Sequence, residues 1–421
     1  MPIPVDRREF LTGLTSGLAS PRGRAGGMSR LADFGAKGDG KAFDSEAINL
    51  ALQASARDGS IVQGTPGAIY RLNSVGTKSF VNPMGQKISK RYCIEIPDGA
   101  KVDFRNSTLL MDNNEDAIVV SNKNTHARGD RISIRNVTVD GSFGDRTTPM
   151  IWFHGTRSST FEDIRVVNCN YTGCVFTSAS DCKMDQIFAT NIIGQAIMLG
   201  GVPAQNISRC QIGTLSASKI RKYRDPHQPG NPILIGGNDV EISRILADDC
   251  DAGIKISSGS NRMKIASIEF RKGGTQNSGI KIQGSPEHLC TEIAIRNAVS
   301  EDCFGSGIFI RHARDCVVTS YTGNNNGSGA KDADISISGE RIRIQSATSQ
   351  GYRHGALYVA PGSASVRFNT LDIRRAGAYA FKPAIDIVEG SVEIDDLTLP
   401  AGNQIRHSDK ASARIARLRR T

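Results

Sequence analysis

The chain has 421 residues and a formal net charge of +10, with 44 glycines but only 38% hydrophobic and 6% aromatic residues. Such a composition fits a narrow interior of Ile and Val with Gly at the turns, and argues against a wide globular core. The cation excess favours polyanionic partners, while aromatic RNA-binding strands, paired zinc ligands and a helix-turn-helix are all missing, which excludes the common nucleic-acid modules.

Residues 1–27 open with Asp6-Arg7-Arg8-Glu9-Phe10-Leu11 and a weakly apolar run from Thr12 to Ser20. Two arginines ahead of Phe-Leu and an apolar stretch resemble a twin-arginine export signal, which implies a periplasmic or secreted protein; a disordered arm is the alternative. No stretch approaches the roughly 20 apolar residues of a membrane span, so a soluble mature chain is expected.

Residues 28–99 contain Ala32-Asp33-Phe34-Gly35-Ala36-Lys37-Gly38-Asp39-Gly40, then Asp44-Ser45-Glu46-Ala47-Ile48-Asn49-Leu50-Ala51-Leu52 and Pro66-Gly67-Ala68-Ile69-Tyr70. Asp44 or Ser45 suits a helix N-cap, and Ile48, Leu50, Ala51 and Leu52 make a short amphipathic helix. This block resembles the entry module of the pectate lyase superfamily, shared by polygalacturonase-type hydrolases, polysaccharide lyases, epimerases and phage tailspikes. The resemblance implies an all-β chain folded as a single-stranded right-handed parallel β-helix with an N-terminal capping helix. Ser74 to Arg91 reads as a polar loop over the first coils.

Residues 100–402 repeat. Phe161, Met184 and Ile207 stand 23 residues apart, as do Val240 and Met263, and Ile293 and Cys316. Between Asp239 and Arg311 one unit recurs three times, ending in Gly253-Ile254-Lys255-Ile256, Gly279-Ile280-Lys281-Ile282 and Gly307-Ile308-Phe309-Ile310-Arg311. Short alternating strands at a fixed period, without helical periodicity, mark a solenoid of about 23 residues per coil from about Ala100 to about Pro400. The nine cysteines lack metal-ligand spacing; Cys169, Cys250 and Cys303, each after Asn or Asp at a strand end, are expected as small buried residues in a turn ladder. Trp152 stands in an apolar run and is expected to be packed.

Period-two alternation turns Lys255, Lys281 and Phe309 outward at equivalent heights, with Ser257, Gln283 and Arg311 in the next register. Asp248, Asp249 and Asp251, then Glu301 and Asp302, stand at the preceding turns, so one strip collects acids and cations. Thr214 to Gly237 departs from the repeat and concentrates Lys222, Tyr223, Arg224 and His227, as a loop walling a groove for an anionic chain would. Tyr352, Arg353 and His354 lie at the turn equivalent to Asp251 and extend that groove. Residues 403–421 are basic and read as a disordered tail or short helix.

Two chemistries fit the strip. Asp248-Asp249-Cys250 before Gly253-Ile254-Lys255-Ile256-Ser257-Ser258-Gly259 resembles the polygalacturonase-type stretch and implies Asp248 and Asp249 as hydrolytic carboxylates. That family's Asn-Thr-Asp turn and Gly-His-Gly have no match here. Gly307-Ile308-Phe309-Ile310-Arg311-His312 resembles the Arg-His strand of the alginate lyase and chondroitinase B group. It implies β-elimination on a uronate, with Lys255 or Lys281 as a base of depressed pKa, Arg311 as proton donor or carboxylate clamp, and His312 beside it. On this reading Asp249, Asp251, Glu301 and Asp302 are candidates for a Ca²⁺ site, and acidic polysaccharide is the expected partner. A non-catalytic polysaccharide-binding or assembly protein on the same fold is the third reading.

Overall fold

In the computed structural model, which describes residues 27–81, 87–111, 118–121, 130–144, 149–222, 230–273, 278–327, 333–374 and 383–421, the chain is a parallel β-solenoid of about 12 turns. The Arg7-Arg8 motif and Tyr223, Arg224 and His227 lie outside the described residues.

Each coil is built from one short and one long strand. The short strands Ile254–Ile256, Ile280–Gln283 and Ile308–Arg314 stack in parallel, with Ile254, Ile280 and Ile308 in one register and Lys255, Lys281 and Phe309 in the next. The isoleucines are fully buried, as alternation requires. The long strands, such as Gly237–Cys250, Asn261–Gly273 and Cys290–Glu301, pair likewise. They turn at residues in left-handed backbone: Asp239, Arg262 and Glu292 at one corner (φ 57°, 50° and 53°), Asp249, Lys272 and Asp302 at another (φ 53°, 53° and 54°). Non-glycine residues seldom adopt this conformation. Here it recurs at the same point of successive coils, bending the chain while the charged side chain stays in water.

The coil length varies more than the sequence suggests. Phe161 pairs with Met184 and Val240 with Met263 at the expected 23-residue interval, but Met184 pairs with Ile212 rather than Ile207. The turn Pro203–Gln205 inserts extra residues there. The ladder is also longer at both ends. Met28–Arg30 pairs with Ile61–Gln63, which pairs with Lys101–Leu110. At the far end Ile405–His407 and Ala411–Arg420 pair with Ile385–Ile387 and Gly390–Leu399, so 403–421 is neither disordered tail nor helix but the last coil.

Two loop readings and one helix-cap reading change. The described residues of Thr214 to Gly237 are largely ladder, because Gln211–Arg221 and Ile233–Ile235 are strands. Ser74 to Arg91 holds an antiparallel hairpin, Gly76–Val81 against Lys87–Ile96. The helix Ser45–Asp58 is present, with Ile48, Ala51 and Leu52 buried, but Asp44 makes no side-chain cap bond. Its carboxylate instead accepts the N–H groups of Lys37 (2.6 Å) and Gly38 (3.1 Å), tying down the glycine-rich turn. Asn49 on this helix donates to Cys93 O and accepts from Glu95 N–H, both at 2.8 Å. Among the described residues no helix is long and apolar enough to cross a membrane.

Inside, Phe153, Phe161 and Phe176 cluster with ring centroids 4.8–5.3 Å apart. All nine cysteines are buried and free; Cys169 and Cys250 share one inward column, separated by Ile192 and Ile220. Further along, the core is polar: Tyr321 donates to Asp334, Ser300 lies 2.7 Å from the Tyr321 hydroxyl, and Asn326 donates to Asp334 Oδ1 (2.8 Å) and Ser300 O (3.1 Å).

Candidate functional site

The lysines of the expected strip stand on the short-strand face. Its outward column runs Trp152, Val175, Met198, Leu234, Lys255, Lys281, Phe309, Ser336, Tyr358. Trp152 and Val175 are buried together with Tyr92 and Met198 packed on them, so Trp152 is a packing residue. Lys255 follows Leu234, is itself half-buried, and has no hydrogen-bond or ion-pair partner among the described residues. Burial lowers the pKa of its amine. The cause is desolvation, which disfavours the charged form. Lys281 stands one coil on, about 4.8 Å along the axis. Arg311 is exposed, in register with Gln283. Ser257 does not join that register: it is 2% exposed, at a corner where Ser260 Oγ donates to its carbonyl (2.6 Å).

The acids stand apart from the lysines. Arg221 donates to Asp249 Oδ2 (2.8 Å) and to the Asp249 carbonyl (2.6 Å), and Asp251 accepts the Lys222 N–H (2.8 Å). The Arg221 guanidinium holds the Asp249 carboxyl below its ordinary range. Asp248 is exposed and in register with Arg271, and Glu301 lies 3.8 Å from that same arginine. Asp302 is the left-handed corner residue two coils beyond Asp249, roughly 10 Å along the axis. Asp249, Asp251, Glu301 and Asp302 thus do not converge, and among the described residues no group of three or more His, Cys, Asp or Glu could hold a metal ion. The donor set proposed for Ca²⁺ does not fit one.

Tyr352 is also displaced from the groove. It falls in the column of Cys250, Cys303 and Asn326, which points inward, and is fully buried with its hydroxyl donating to Asn403 (3.1 Å). Arg353 is exposed and His354 half-buried at the same corner. His312 sits in left-handed backbone (φ 48°), within electrostatic reach of Glu287. Lys222 contributes its backbone N–H.

A second feature escaped the sequence reading: an open groove of about 670 Å³ on the long-strand face, lined among others by Lys183, Asp185, Gly213, Ser243, Ala266 and Arg296. Three small residues occupy the same outward position on successive coils. That run of Gly, Ser and Ala was the available signal, hidden until the register between coils was known.

No family model matches the chain, and no curated protein matches it. Among solved structures it is similar to the A-module of mannuronan C-5 epimerase AlgE6 from Azotobacter vinelandii, with TM-score 0.54 and 12% identity over 93% of this chain and 99% of that one. It is also similar to mutant tailspike proteins of E. coli bacteriophage HK620, one with TM-score 0.55 and one, in complex with a pentasaccharide, with TM-score 0.53; both are 12% identical over 92% of this chain and 78% of theirs. At this identity the likeness shows the architecture: the chain is a parallel β-helix.

Proposed function

We propose that this protein acts on an acidic, uronate-containing polysaccharide laid on the short-strand face, cleaving it by β-elimination with Lys255 as the base. The observation that carries the reading is the Lys255 amine: half-buried, unpaired among the described residues, and lowered in pKa by burial. A lysine in that state can hold an unprotonated amine closer to neutral pH, which general-base catalysis needs. Lys255 takes the C5 proton of a uronate, the electron pair forms the C4–C5 double bond, the C4–O bond breaks, and water protonates the leaving oxygen. Arg311, permanently charged and exposed, suits the carboxylate-clamping role better than that of proton donor. Lys281 adds a second cation beside the base.

The fold neighbours support a saccharide substrate: one is named an epimerase acting at C-5 of mannuronan, and another holds a pentasaccharide. Removal of the C5 proton is the first step of both C-5 epimerisation and β-elimination. Hydrolysis is less well served, because Asp249 is held by Arg221 and Asp248 stands in register with Arg271, whereas hydrolysis needs two carboxyls flanking the bond. The Arg7-Arg8-Glu9-Phe10-Leu11 motif supports action outside the cytoplasm.

The test is incubation of parent and Lys255→Met protein with a panel of uronate polysaccharides, following ultraviolet absorbance of the unsaturated product and reducing ends. Absorbance that disappears in Lys255→Met with binding retained supports the reading. Reducing ends without absorbance would move the reaction to hydrolysis, and binding without turnover would leave a non-catalytic polysaccharide-binding protein.

A further inference from the structure

The groove on the long-strand face is separated from the lysine strip by the corner that carries Asp239 and Arg262. It crosses six successive coils, from Lys183 to Thr319, a length of about 24 Å at the spacing of parallel strands. Elsewhere on this surface long side chains fill the outward columns and neutralise one another. At the adjoining corner Arg209 holds Asp181 (2.7 and 2.8 Å), Arg262 holds Asp239 (2.5 and 2.8 Å) and Arg341 holds Asp315 (2.5 and 2.7 Å), each through two nitrogens.

Along the groove floor that pattern stops. Gly213, Ser243 and Ala266 leave a floor with little side chain above it. Gly213 is needed here: a Cβ would lie 2.2 Å from the Asp185 carbonyl oxygen and 2.7 Å from Asp185 Oδ1, which leans over the next coil. Lys264 pairs with Glu241 (3.1 Å), but Lys183, Asp185 and Arg296 are exposed and hold no ion partner among the described residues. The uncompensated groups are therefore two cations and one carboxylate, set in a straight trough without an aromatic platform.

We infer that this groove is a second saccharide site, taking a linear acidic oligosaccharide along the solenoid axis; the ligand class rests on the acidic-polysaccharide reading above. Arg296 takes a uronate carboxylate in a bidentate contact, Lys183 adds charge, and Asp185 accepts hydroxyl protons at the opposite end. Binding by exposed charges is weakened by salt. A chain held here while another stretch lies on the lysine strip is presented at raised effective concentration.

The experiment is calorimetric titration of a defined uronate hexamer, and of a neutral hexamer of the same length, into parent, Ala266→Tyr, Arg296→Ala and Lys255→Met proteins. Ala266 is exposed, so a tyrosine there fills the trough without entering the core, and unchanged thermal melting verifies this. The expected result is two uronate sites in the parent, loss of one in Ala266→Tyr, at least tenfold weakening of that site in Arg296→Ala, and retention of it in Lys255→Met. An Ala266→Tyr titration that superimposes on the parent overturns the groove while leaving the reaction at Lys255 standing. Loss of turnover in Lys255→Met is read separately, so turnover surviving in that variant sinks the catalytic reading and leaves the groove intact. Equal affinity for the neutral hexamer, or no uronate binding in the parent, overturns the acidic class.

Discussion

Inside the solenoid the Tyr321 hydroxyl donates to Asp334 Oδ1 at 2.5 Å, a carboxyl fully enclosed by the coils around it. Burial raises the Asp334 pKa above the usual carboxylate range, because a charge in the interior loses its hydration. A folded-state pKa above the unfolded one means that the folded chain binds the extra proton. The stabilisation is fully present below the ordinary carboxyl pKa and is lost as pH rises through the raised value. Asp334→Asn keeps the oxygen that Tyr321 and Asn326 bond. Its melting temperature is expected to change less with rising pH than the parent's. Parallel curves for the two proteins would show that Asp334 does not titrate. Asp334→Ala removes an acceptor shared by Tyr321 and Asn326, leaves both with Ser300 alone, and is expected to cost about 1–3 kcal/mol.

Gly307 guards the same network. A Cβ there would stand 2.1 Å from the Tyr321 hydroxyl and 2.3 Å from Ser300 Oγ. Gly307→Ala is expected to lower the melting temperature strongly at every pH, whereas a melting curve like the parent's would show that the network can move aside.

Lys255 is expected to set the acidic limb of the pH–rate profile, with turnover rising as pH passes its lowered pKa. Removing a general base typically loses about 10²–10⁴-fold, and Lys255→Met is expected in that range with uronate binding retained. Lys255→Arg should not restore the rate, since a guanidinium stays protonated. Full turnover in either variant would place the base elsewhere.

Phe161 packs against Phe153 and Phe176 at 5.1 and 4.8 Å between centroids and is fully buried. Phe161→Ala is expected to destabilise by about 3–5 kcal/mol. Because each coil touches only its neighbours, limited proteolysis should cut this variant first near these coils. A cleavage pattern unchanged from the parent would argue for uniform cooperativity instead.

The thiols are expected to be inert in the folded protein at neutral pH. Burial pushes Cys250 and Cys290 up to about 12 and Cys316 up to about 11, and the thiolate is the reactive form. Cys182 differs, since the neighbouring Cys210 thiol lowers its pKa by hydrogen bonding. Mass spectrometry after alkylation should find Cys182 modified first as the protein is brought toward unfolding. Rapid labelling of any cysteine under native conditions would contradict the burial.

The repeats Ile254-Lys255-Ile256 and Ile280-Lys281-Ile282 were legible because a period of two places alternate residues on opposite faces without reference to anything distant. The same local rule read Arg311 as outward and the isoleucines as core. It failed for Ser257, and equivalence to the Asp251 turn failed for Tyr352, both next to corners where a residue in left-handed backbone shifts which neighbour faces inward. It also missed the groove and read 403–421 as a tail, because those features depend on pairing between coils.

The sequence by itself therefore determined a parallel solenoid, its inward column and the outward lysines, all set by local alternation and repetition. Only the tertiary structure decided that Arg221 takes Asp249, that Lys255 is desolvated, and that Gly213, Ser243 and Ala266 line up as one floor. Those relations join residues 21 to 30 positions apart, on coils whose unequal lengths set which residues meet.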